Sequence, residues 1–132
     1  MPRVVRYGLI VVVGHLVVLS LHALTHVQLK VYASWLGNAF IVLVIWLAPL
    51  AALVLLLRKR LHAGVALLLG AMFGALLFGV YHHFIAVSPD HVSHVPAGAA
   101  RVLFQVTAVL LAVIEAVACG YGVWAWRTLA GC

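Results

Sequence analysis

Residues 35–60 read WLGNAFIVLVIWLAPLAALVLLLRKR. From Trp35 to Leu57 there is no ionisable side chain, and then three cations follow without a break. About 20 apolar residues, each rising 1.5 Å, cross the roughly 30 Å core of a bilayer, so this run predicts a spanning helix stopped by a basic cluster. Three further runs resemble it in length and polarity: residues 8–29, 61–87 and 100–126. The expected fold is all-α, an integral membrane, up-down four-helix bundle in which residues 1–132 form a single transmembrane domain. The linkers, Lys30 to Ser34, Arg58-Lys59-Arg60 and Ser88 to Gly98, are short enough to make consecutive helices antiparallel neighbours.

Composition agrees. The chain has 132 residues, 67% of them hydrophobic and 8% charged, and its mean hydropathy is +1.26. Those values lie outside the range of soluble domains. The net charge of +6 does not read as a nucleic-acid face, because six of the eight Lys and Arg residues stand at the ends of apolar runs, where they signal orientation. Arg3, Arg6, Arg58, Lys59, Arg60 and Arg127 fall on one side, and only Lys30 and Arg101 on the other. Both termini are therefore expected in the cytoplasm, with the outer loops facing the periplasm across a bacterial inner membrane. Arg3 and Arg6 precede an apolar run without an Ala-x-Ala cleavage site, so that run reads as a retained first span. Cys119 and Cys132 form neither a CxxC metal pair nor a disulfide framework.

Polar residues are scarce, and they cluster. Between Gly79 and Gly98 stand His82, His83, His91, His94 and Asp90, half of the eight histidines and one of the two acids. Ser88 suits an N-cap, Pro89 the first helical position, and Pro96 with Gly98 a stop, so a short interfacial helix is expected in this outer loop, with His91 and His94 on one face. Asp90 in its first turn would be favoured by the helix dipole, or would serve as a ligand. In the first run His15, His22 and His26 fall within roughly 40° of one another around the helix and form one stripe. Pro49 lacks a backbone donor and predicts a kink in the second run. Gly70 and Gly74 in the third run and Ala108, Ala112, Ala116 and Gly120 in the fourth make small-residue stripes that predict close packing between those two helices.

Depth decides which polar groups can meet. At 1.5 Å per residue, His22 and His26 lie roughly 5–10 Å below the outer rim and His82 and His83 roughly 5 Å below it, with His91 and His94 over the same opening. His22, His26, His82 or His83, Asp90, His91 and His94 are therefore the expected metal ligands. HxxxH presents two imidazoles from adjacent helical turns, and several buried imidazoles without a shared partner are costly. His82 and His83 stand 100° apart, and spacing does not choose between them. His15 and Glu115 form a deeper pair, each roughly 21 Å inside its helix's outer end, and read as a proton relay, a further ligand shell, or a hydrogen bond between helices.

Imidazole and carboxylate without thiolate suit zinc, copper or non-haem iron. A metal centre in a redox or proton-coupled role, in a metal-dependent membrane oxidoreductase, is the leading expectation. A bis-histidine haem b is the rival, with axial ligands from the first and third helices. A non-catalytic small subunit or assembly factor of a larger membrane complex, or a homo-oligomer, is the reading of a different class. The HxxHH boxes of membrane desaturases and the HExxH of metalloproteases are both absent.

Overall fold

Four helices make up the computed structural model, which describes residues 1–131: α1 (Arg3–Leu29), α2 (Trp35–Leu57), α3 (Leu61–Ile85) and α4 (Ala100–Ala130). Cys132 lies outside the described residues. All four helices are long and apolar enough to cross a membrane, and no strand occurs among the described residues. Large apolar side chains such as Ile10, Val17, Leu43 and Val117 are exposed on the outer faces. That is the surface expected where lipid replaces water.

α4 packs against both α1 and α3, and α2 packs against α3 and more sparsely against α1. α1 and α4 are antiparallel: Tyr121 Oη donates to the Val4 carbonyl at 2.7 Å, His15 faces Glu115, and His22 meets Thr107. The largest apolar cluster, which includes the completely buried Val12, Leu56, Leu68, Met72 and Ala118, occupies the Val4–Tyr121 end. A second cluster of Leu19, Ile45, Ala75 and Leu111 fills the middle. The opposite end is closed by Val31, Val95 and Phe104, and there the polar groups gather.

Two helix ends are built alike. Lys30 and Lys59 both adopt the left-handed conformation, at φ 55° and 61°. After each, paired bonds close a Schellman turn: Lys30 N–H to Val27 O with Val31 N–H to His26 O, and Lys59 N–H to Leu56 O with Arg60 N–H to Leu55 O. The second turn brings α3 back tightly onto α2. A Cβ at Gly64 would stand 2.8 Å from Leu56 Cγ and 3.0 Å from the Leu56 backbone nitrogen, which cannot yield. Gly64→Ala is therefore expected to destabilise by about 1–3 kcal/mol despite alanine's better helix propensity. Gly70→Ala, which meets nothing within 4 Å, should be neutral or stabilising. Thermal unfolding of the two variants in detergent checks the opposite signs.

α2 departs from α-helical hydrogen bonding just ahead of Pro49. Residues Ile41–Leu47 run as a π-helix before the α-helix resumes at Ala48. Pro49 has no N–H to give the Ile45 carbonyl four residues earlier, and that carbonyl instead accepts from His15 Nε2 at 3.2 Å. α3 also ends in a π-type turn, Tyr81–Ile85, two residues short of the expected limit.

Two expectations need correction. α3 and α4 pack closely, as expected, but not through the glycines of the stripes: Gly70 and Gly120 face open space, and Gly74 packs against Val44 and Phe40 of α2. The buried face of α4 is instead Phe104, Thr107, Ala108, Leu111, Glu115, Ala118, Tyr121, Gly122 and Ala125, because the helix turns its polar Thr107 and Glu115 inward. The loop of residues 88–98 forms turns where a short helix was expected. Its backbone groups are taken by tertiary partners: Val92 N–H donates to the His83 carbonyl at 3.0 Å, and the Val92 and Asp90 carbonyls accept from Gln105 and His83. A helical ladder would need the same groups.

Candidate metal centre

His22 and His26 stand one turn apart on α1, and His83 reaches them from the π-type turn of α3. His22 Nε2 lies 3.2 Å from His83 Nε2 and 3.2 Å from His26 Nε2. One ligand atom from each of the three can be taken within 4.8 Å of both others. Phe104 backs the group, its ring centre 4.8, 5.1 and 5.4 Å from those of His22, His26 and His83. His22 and His83 are buried and His26 is half-buried.

The second ring nitrogens settle the tautomers. His26 Nδ1 lies 2.9 Å from the Val31 carbonyl, and His83 Nδ1 lies 3.0 Å from the Asp90 carbonyl. A carbonyl only accepts, so both Nδ1 atoms carry protons. His22 Nδ1 lies 2.8 Å from Thr107 Oγ1, whose single hydrogen is directed to the carbonyls of Leu103 (2.7 Å) and Phe104 (3.1 Å). His22 Nδ1 is therefore also the donor. In neutral imidazoles this leaves three Nε2 lone pairs pointing at one another, an arrangement that is repulsive until a cation lies between them. With metal–nitrogen bonds of about 2.0–2.1 Å, tetrahedral ligand nitrogens stand roughly 3.3 Å apart, close to the 3.2 Å from His22 to each of its two neighbours. Donation of the distal N–H to a fixed oxygen is also how ligating histidines are oriented.

Asp90 adds a carboxylate at the mouth. Its Oδ1 lies 3.5 Å from His26 Nε2 and 3.5 Å from His83 Nδ1, is buried, and has no hydrogen-bond partner among the described residues. Below the triad a cavity of about 230 Å³ runs between the helices, lined mainly by apolar residues such as Leu19, Ile41, Phe78 and Leu111, with Asp90 near one end and Glu115 further in. His15 Nδ1 faces Glu115 Oε1 at 3.7 Å, both side chains being almost wholly buried.

Of the candidate ligands, the structure brings together His22, His26 and His83, with Asp90 alongside. His82 turns to the other side of α3 and packs on Phe78 and Tyr81, at ring separations of 4.3 and 5.2 Å. His91 and His94 pair with each other at 4.9 Å and do not join the three-nitrogen group. Thr107, Phe104 and Gln105 were not singled out from sequence. Thr107 carried a usable signal: it lies eight residues before Glu115, on the same helix face, and the two are the buried polar residues of α4.

No protein-family model, curated protein or solved structure matches this chain.

Proposed function

We propose that the protein is an integral membrane metalloprotein of a bacterial inner membrane, holding one copper, iron or zinc ion on His22, His26 and His83 at the periplasmic end of an up-down bundle. The observation that carries this reading is the convergence of three Nε2 atoms, each on a ring whose Nδ1 stands within hydrogen-bond reach of an oxygen. Asp90 supplies counter-charge and is placed to become a fourth ligand. The role is proton-coupled or redox and not structural, since the main apolar cluster lies at the other end of the bundle and packs without the triad. While Asp90 stays off the metal, the three protein nitrogens leave a coordination position open, as catalytic sites do.

A bis-imidazole haem fits less well. Its axial nitrogens oppose each other across the iron, about 4 Å apart, with the macrocycle between the rings. Here His22 and His83 stand 3.2 Å apart and meet edge to face.

Metal analysis and a visible spectrum of the detergent-purified protein test the reading. The expected result is about one metal per chain, a tetrahedral-type visible spectrum after cobalt substitution, and no Soret band. A Soret band would restore the haem, and a protein that binds no metal would be a small subunit or assembly factor. Orientation has its own check: a reporter fused after Arg127 should be cytoplasmic, and one inserted near Ser93 external.

A further inference from the structure

The chain contains only two acidic side chains, and both line the cavity of the triad. Asp90 stands beside the ligands at the mouth. Glu115, 3% exposed, makes no hydrogen bond with the described residues and faces His15 Nδ1. His15 Nε2–H is committed to the Ile45 carbonyl, so its Nδ1 lone pair points at the carboxyl group. Two buried acceptors cannot face each other in apolar surroundings without a proton between them. The pair therefore stores one exchangeable proton.

Little stands between this store and the metal site. A Cβ at Gly79 would lie 3.8 Å from Glu115 Oε2 and 4.0 Å from His83 Cδ2, so α3 interposes no side chain there. The titratable groups around Glu115 are His15 on α1, Cys119 one turn further along α4, and His83 on α3 beyond the Gly79 gap; α2 offers only the Ile45 carbonyl to the pair.

Charge accounting then links the two. Any proton shared among the triad nitrogens and Asp90 leaves as the cation takes their lone pairs, so it does not offset the cation's charge. With Asp90 as its only anion, the cavity would be left with a net positive charge inside a membrane, which is costly. Loss of the stored proton brings the cavity to neutrality. On the strength of the metal reading above, we infer that each divalent cation taken up by His22, His26 and His83 expels one proton from the Glu115–His15 pair into bulk water, making the cavity a cation–proton exchange site.

The probe is zinc alone, titrated into detergent-purified protein in weakly buffered indicator solution. Wild type should release about one proton more per zinc than Glu115→Gln. Its zinc affinity should rise about tenfold more per pH unit than that of the variant between about pH 6.5 and 7.5, since affinity gains one power of ten per pH unit for each proton released. The sign is fixed: raising the pH helps zinc only while the pair still holds its proton. Zinc bound with equal proton release in both proteins would overturn the exchange and leave the metal site standing. Failure of wild type to bind zinc would overturn both. Should Glu115→Gln not fold, wild type alone decides, because zinc binding without proton release contradicts the inference.

Discussion

His22→Ala lowers zinc affinity by about 100–1,000-fold, on the basis that roughly 10–16 kcal/mol of binding energy is shared among about four ligands. His22 is the choice because its Nε2 is 3.2 Å from both of the other ligand nitrogens, so its loss leaves His26 and His83 without their common neighbour. Adding His83→Ala to that variant should cost little more, since ligands that act as a unit are non-additive. His91→Ala should leave affinity unchanged within about twofold, its ring being paired with His94. Isothermal titration in detergent measures all of these. Additive losses across His22, His83 and His91 would mean that no shared centre exists.

The second large effect is expected at a residue that touches no metal. Thr107→Val preserves shape but removes the oxygen that accepts from His22 Nδ1–H at 2.8 Å. His22 then has a buried donor without an acceptor, and moving that proton to Nε2 would remove the lone pair the site needs. Zinc affinity should fall by about 10–100-fold, the range for loss of such an orienting partner, while Thr107→Ser retains it. Equal affinity in the valine and serine variants would show that the hydroxyl does not fix the tautomer. Thermal stability should separate this loss from unfolding, since Leu103 and Phe104 keep their helical backbone bonds in both variants.

Much of this arrangement was legible before any coordinates. Apolar runs of spanning length fixed the number of helices, because length and hydropathy are local properties. The alignment of His15, His22 and His26 on one face, and the common depth of His15 and Glu115, follow from helix geometry alone, and the structure sets His15 and Glu115 3.7 Å apart. What could not be read depends on chain reversals and rotations. Whether His82 or His83 turns inward depends on how α3 rotates in its final π-type turn, and spacing rules for a regular helix do not describe that turn. The loop of residues 88–98 carries good helix signals, Ser88-Pro89 above all, yet bonds to His83 and Gln105 override them. The small-residue stripe pointed to the right pair of helices but not to the right face of α4: inward placement of Thr107 and Glu115 set its rotation and left Ala116 and Gly120 exposed.

The three orienting acceptors differ in how they are encoded. For His26 and His83 the acceptor is a main-chain carbonyl, that of Val31 just past the Schellman turn and that of Asp90 in the loop. Any residue that keeps the turn supplies the first, whatever its side chain. Only His22 depends on a side-chain hydroxyl. A divergent descendant of this chain could therefore exchange Val31 for another apolar residue that fills the same place beside Val95 and Phe104 and still hold His26 in register. The part of the centre most exposed to mutational drift is one threonine, whose codon carries what backbone geometry supplies elsewhere.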